Sequence, residues 1–219
     1  MTLQRPLMLA LVLILAAAIV GAWAFRLLPA GAVIPVHFNI HGDADGFLPK
    51  GPGLAVLPVV GVLVLLLMAF LPRLAPRARG FADAAGPYGV VLIGVAAMFL
   101  VAEAAVAMRG LDPAFDVLRW LFLALGVLFA VIGNLLGKVR QNSVLGIRTP
   151  WTLRDKRVWD KTHRFTGRLM VLGGVLLAVV ALIGDHTDLI VALIVCAGGP
   201  AIAGIVYSRA IAQAEPAKG

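Results

Sequence analysis

Hydrophobic and polar positions alternate in this chain on the scale of whole segments, not single residues. Six apolar, nearly uncharged runs lie at about 6–27, 54–71, 88–108, 118–137, 167–184 and 189–207. At 1.5 Å per helical residue, runs of about 20 residues match a hydrocarbon layer about 30 Å thick. The predicted fold class is therefore all-α: a polytopic membrane helix bundle with six transmembrane helices, the whole of 1–219 forming a single membrane domain. A cleaved signal peptide competes for the first run, but its apolar core of about 7–15 residues would be shorter. An uncleaved anchor is expected, with Trp23 and Arg26 at its far interface. Pro58 falls near the start of the second run, where a missing N–H costs least. Gly198, Gly199 and Pro200 are expected to break or kink the last run.

Two long polar stretches interrupt this pattern, an outer loop at 28–53 and a motif loop at 138–168. In the second, Gly146 and Thr149-Pro150 predict a turn, because Pro150 fixes its own φ and drives Thr149 out of the helical region. Thr152 stands three residues before Asp155, the spacing of an N-terminal cap, so a helix is expected from near Leu153. Lys156, Asp160, Arg164 and Arg168 share one face of it, and Val158, Trp159, Thr162, Phe165 and Leu169 the other. That pattern predicts an interfacial amphipathic helix between the fourth and fifth spans.

Composition sharpens the class. Hydrophobic residues make up 61% of the chain, against about 45–50% in soluble domains. Nineteen Lys and Arg oppose eleven Asp and Glu, a formal charge of +8. In a soluble domain that excess would suggest nucleic acid; in a membrane protein, the bias of cations toward cytoplasmic loops explains it, and no direct nucleic-acid contact is expected. The excess sits at the N-terminus, in the 72–87 loop with Arg73, Arg77 and Arg79, in 138–168 and at the C-terminus. The loops at 28–53, 110–116 and 184–188 lack it. Both termini are therefore expected in the cytosol. The lone Cys196 excludes an intramolecular disulfide and a cysteine-based metal site.

The candidate chemistry is sparse. His37, His41, Asp43 and Asp45 form an inventory of metal ligands, but Pro35, Gly42 and Gly46 argue against the helix that would align His37 with His41. The alternative is a hydrogen-bonded loop in which Asp45 pairs with Lys50 and Asn39 and Asp43 close Asx turns. Glu103, an ionisable group inside the third run, is either functional or near enough to the Arg109 end to reach headgroups or pair with that arginine. Asn134 reads as a packing residue able to bond to a neighbouring helix. No phosphate loop, Gly-x-Ser-x-Gly elbow or His-Glu-x-x-His string is present, so no catalytic residue and no cofactor is assigned. His163 reads as a hydrogen-bonded histidine at the membrane surface. Arg148 and Trp151 either hold lipid and the aromatic belt, or join Trp159 and His163 in a cytoplasmic docking surface.

The string Asn142, Gly146, Arg148, Thr149, Pro150, Trp151, Thr152, Trp159, Thr162, His163 and Gly167 resembles the C-terminal signature of the SdpI family of bacterial integral membrane proteins. Pro35, His37, Asn39, Gly42, Asp45, Gly46, Phe47 and Lys50 resemble a short domain of unknown function that often precedes it. The resemblance implies a non-enzymatic immunity or signalling protein of the bacterial cytoplasmic membrane. The partners it implies, beyond the lipid bilayer, are a peptide toxin on the outer face and a cytosolic repressor. The alternative from the residues alone is a small transporter or channel using Glu103, Asn134 and Arg148 in a polar path. A metal-dependent membrane enzyme built on His37 and His41 is a third reading.

Overall fold

A computed structural model describes residues 3–39, 41–74 and 81–214, so Arg77 and Arg79 of the basic 72–87 loop lie outside the described residues. Its elements are α1 (Gln4–Leu27), β1 (Val33–Phe38), β2 (Ala44–Pro49), α2 (Lys50–Leu74), α3 (Phe81–Leu111), α4 (Val117–Leu136), α5 (Pro150–Arg154), α6 (Lys156–Ile183), α7 (His186–Leu193) and α8 (Gly199–Ala214). Among the described residues six helices are long and apolar enough to cross a membrane. Their lipid-facing sides carry exposed Leu9, Ile19, Leu63, Leu172 and Ile202. A bundle in lipid needs no apolar interior of its own, and its helices meet through small residues instead.

Two helix pairs dominate the packing, α1 with α3 and α4 with α6. The second pair is built on glycine. A methyl group on Gly126 would lie 2.6 Å from Gly174 O, and one on Gly133 would lie 2.7 Å from Gly167 O. Gly126 and Gly133 are seven apart, as are Gly167 and Gly174, so one glycine face of α4 runs antiparallel along one glycine face of α6. The backbones touch at both crossings.

The outer stretch, read from sequence as a loop, holds regular structure. Residues 33–38 and 44–49 form a two-stranded antiparallel sheet pairing Ile34 with Leu48 and Pro35 with Phe47, with irregular register around His37. Its turn is closed by Asn39 Oδ1, which accepts the N–H groups of His41 (2.8 Å) and Asp43 (3.0 Å), while Gly42 takes φ +85°. Ile34 is fully buried with Ala24, Leu54 and Val106 and anchors the hairpin to the bundle. The expected Asp45–Lys50 pair is absent: Asp45 pairs with His37, and Lys50 Nζ donates to the carbonyls of Phe25 (3.2 Å) and Leu28 (2.9 Å). A cation at the carbonyl end of α1 neutralises that helix terminus better than a contact across a strand.

Three other expectations change. α6 runs unbroken from Lys156 to Ile183, so the amphipathic segment is the first turns of the fifth span and not a separate interfacial helix. Its 28 residues rise about 42 Å, which places the polar turns outside the hydrocarbon. The helix starts also differ: Thr149, not Thr152, caps α5, with Thr152 completing the capping box, and Asp155 caps α6. In the last span the Gly-Gly-Pro sequence produces a π-helical turn, Ile194–Gly198, without ending the helix. Pro200 lacks the N–H that would bond Cys196 O, and one wide turn absorbs the loss.

Candidate functional site

The described fold puts the two polar stretches at opposite ends of the bundle. The motif segment sits where α4 ends, α6 begins and Ser208 of α8 arrives; the hairpin sits where α1 and α6 end and α4 begins.

The motif is wound around two rings. Trp159 and His163, one turn apart on α6, stack at 3.9 Å, and both are fully buried. Trp159 Nε1 donates to Val139 O at 2.7 Å, which ties the end of α4 to the start of α6. His163 Nε2 faces the N–H of Ile147 at 3.0 Å, and Nδ1 faces Trp159 O at 2.8 Å. A backbone N–H only donates and a carbonyl only accepts, so the ring is the neutral tautomer with its proton on Nδ1. Both nitrogens are spent on backbone. Gly146 lies against the His163 ring at φ +114°, where a side chain would meet both that strain and the ring.

The remaining signature residues close the segment on itself. Asn142 Oδ1 accepts the N–H groups of Val144 (2.8 Å) and Leu145 (2.7 Å), and Nδ2 donates to Arg140 O (2.8 Å). Thr152 Oγ1 donates to Ile147 O at 2.7 Å, and Thr149 Oγ1 meets Ser208 Oγ at 3.1 Å, fastening the motif to the last span. Arg148 is exposed and donates to Ser143 O at 2.6 Å. Pro150 is the first residue of α5, and Gly167 is the α4–α6 crossing point. Thr162 is buried with its hydroxyl unpartnered among the described residues. Of the four residues in the docking-surface alternative, two are not at the surface. Trp159 and His163 lie beneath the surface, Trp151 is half-buried, and Arg148, Leu153, Arg154 and Arg157 remain in reach of a partner.

At the hairpin end a constellation appears that sequence reading missed. The Gly42 turn packs on the His186 ring, His186 Nε2 meets Asp116 Oδ1 at 3.1 Å, and Asp116 Oδ2 pairs with Arg119 at 3.1 Å. Arg119 donates to Ala181 O (2.8 Å), Leu182 O (2.9 Å) and Gly184 O (3.2 Å), the unsatisfied carbonyls at the end of α6. Partial burial raises the Asp116 carboxyl, but the Arg119 N–H and the His186 and Arg119 side chains outweigh it and hold the group below the ordinary carboxylate range. The signal was present in sequence as an Asp-x-x-Arg cap beside a short turn, but its third partner stands 70 residues away.

His37 and His41 do not converge. His37 is exposed and pairs with Asp45, and among the described residues no cluster of three or more His, Cys, Asp or Glu is positioned to hold a metal. The residues of the alternative polar path are also separate. Glu103 is fully buried and faces α1 and α2. Asn134 is exposed in a groove of about 480 Å³ with Lys138, Arg164 and Arg168, and Arg148 is on the motif surface. Glu103 does not pair with Arg109, which donates to Phe115 O at 3.0 Å.

The sequence of this region has a counterpart among known proteins. Residues 138–208, the motif with the α6 and last-span helices that enclose it, match the SdpI/YfhL protein family. This part of the chain is similar to that family. Residues 12–62, covering most of α1, the hairpin and the first half of α2, match a domain of unknown function, DUF1648. The chain is 35% identical over 74 residues to Immunity protein SdpI of Bacillus subtilis, a match that takes in 33% of this chain and 36% of that protein's length. The shared SdpI region thus spans about a third of each. No solved structure matches the chain.

Proposed function

We propose that this chain is a non-enzymatic immunity protein of the bacterial cytoplasmic membrane, protecting its cell from a secreted antimicrobial peptide. The similarity of its motif region to Immunity protein SdpI carries the reading. The geometry supports it in one respect: Asn142, Thr149, Thr152 and His163 of the motif spend their polar atoms on backbone and on neighbouring side chains, the arrangement of a folded platform. In this reading the termini and the 138–168 segment face the cytosol, because the cations concentrate there. The hairpin then faces outward and presents Val33, Val36 and Phe47, all exposed, as an apolar surface for the peptide. On the opposite face Arg148, Leu153 and Arg154 form the surface for a cytosolic repressor.

The test is expression in a toxin-sensitive host. Cells carrying the protein survive a cognate peptide, while Phe47→Glu loses protection at an unchanged membrane level. Survival of empty-vector cells to the same extent sinks the proposal.

A transporter reading has one observation in its favour, the buried carboxyl of Glu103. Flux in proteoliposomes that Glu103→Gln abolishes would establish it; no flux under any ion gradient removes it.

A further inference from the structure

Helix α2 contains two internal prolines, Pro58 and Pro72. A proline has no N–H for the carbonyl four residues earlier, so the carbonyls of Leu54 and Met68 each lose their helical donor inside an apolar bundle. One loss is repaired from α3: the Tyr88 hydroxyl donates to Met68 O at 2.6 Å. The other carbonyl faces the only charged-type side chain of α3 that is fully buried among the described residues, Glu103. A methyl group built on Gly21 of α1 would lie 2.5 Å from Glu103 Oε1 and 2.9 Å from Leu54 O, so both oxygens converge on the space that Gly21 leaves empty. Among the described residues neither carboxyl oxygen of Glu103 has a hydrogen-bond partner.

Two acceptors converging without a donor call for one between them. We propose that Glu103 is a proton-binding site: its carboxyl carries a proton and donates it to Leu54 O across Gly21, as Tyr88 does to Met68 O about 20 Å further along α2. The latch joins α3 to α2 through α1. Releasing the proton would leave a carboxylate against the negative end of a carbonyl dipole in an apolar setting, and the three helices would separate there.

The surrounding charges are occupied or turned away. On α2, Lys50 is held by Phe25 O and Leu28 O; on α3, Arg109 is held by Phe115 O. On β1, His37 pairs with Asp45, and at the start of α4, Asp116 and Arg119 pair with each other. Arg26 of α1 is exposed and lines the outer side of the groove of about 560 Å³ whose wall includes Gly21 and Leu54. A proton needs only the two oxygens present, whereas a metal cation would need several more.

The experiment uses the full chain in liposomes with dicyclohexylcarbodiimide, an apolar reagent that adds to protonated carboxyls within membranes, and reads the modified residue by mass spectrometry. Labelling of Glu103 near neutral pH, unchanged by sodium at constant pH, is the expected result. No labelling, or labelling suppressed by sodium, overturns the proton. A second measurement covers misfolding: thermal unfolding from pH 7 to 10 of wild type, Glu103→Gln and Glu103→Ala. The Gln amide can donate to Leu54 O at every pH, so this variant should melt close to wild type at pH 7 and stay level. Wild type should fall toward Glu103→Ala by roughly 2–6 °C as pH rises. Parallel pH profiles for wild type and Glu103→Gln contradict the latch.

Discussion

Replacing His163 with Ala probes the motif at its centre, and the structure sets the size of the effect. The ring is fully buried, accepts the N–H of Ile147 at 3.0 Å, donates to Trp159 O at 2.8 Å and stacks on Trp159 at 3.9 Å. Removing it leaves a partly buried backbone donor without an acceptor, a cost of about 1–3 kcal/mol. The lost stack adds about 0.5–1.5 kcal/mol. Gly146 and Ile147 are only half-buried, so water can enter and the full cavity cost does not apply. The sum is about 1.5–4.5 kcal/mol, or a lowering of the melting temperature by roughly 3–18 °C for a chain of this length. Cys196, 3% exposed, provides the assay. A thiol-reactive dye added to the detergent-solubilised protein reports the temperature at which this single cysteine becomes accessible. His163→Phe keeps a ring against Trp159 but has no acceptor, and should fall between the two. An Ala variant that melts with wild type would refute the assignment of His163 as the fastener of the 142–147 segment.

The glycine crossings predict a different failure. Gly167→Leu forces side-chain atoms into Gly133 O, where even a methyl would sit 2.6 Å away, and should cost about 1–3 kcal/mol or more in the same thermal assay; an unchanged melting temperature would mean the helices are not in backbone contact. At the hairpin end, the depressed Asp116 carboxyl stabilises the fold fully above the ordinary Asp value of about 4 and loses that contribution as pH falls through its folded value. Wild type should therefore lose stability relative to Asp116→Asn as pH falls below about 4, and parallel acid profiles for the two proteins would count against the His186–Asp116–Arg119 link.

The six crossings were legible because apolar length is a local property, and so was the two-faced character of Lys156–Arg168. Val158, Trp159 and Thr162 are buried, while Lys156, Arg164 and Arg168 are exposed. The hairpin was hidden by Pro35, Gly42 and Gly46, which read as loop residues in isolation. A proline in a two-stranded sheet sits at an edge, and a glycine at φ +85° is what the turn requires. Thr152 was assigned the cap because its spacing to Asp155 fits, but the structure uses Thr149 for one helix and Asp155 for the next, and Thr149 also meets Ser208 of the distant last span. His163 read as a hydrogen-bonded histidine at the membrane surface, and its hydrogen bonds are present; that it lies buried with Trp159 was not legible. Their burial depends on Val139 and Ile147, partners that no helical periodicity relates to them. The glycine face shared by α4 and α6 was written plainly as two seven-residue spacings, and it became meaningful only once the two helices were known to be neighbours.

The account depends on a platform and a hairpin separated by the bilayer, with the hairpin outside. Two single-cysteine variants in a Cys196→Ala background, Phe47→Cys in the hairpin and Leu153→Cys in the motif, test this in intact cells with a membrane-impermeant maleimide. Phe47 is 53% exposed and Leu153 46% exposed, so each site is open to reagent on its own side. The account predicts labelling of Phe47→Cys in intact cells and of Leu153→Cys only after permeabilisation; labelling of Leu153→Cys from outside, with Phe47→Cys protected, would contradict it.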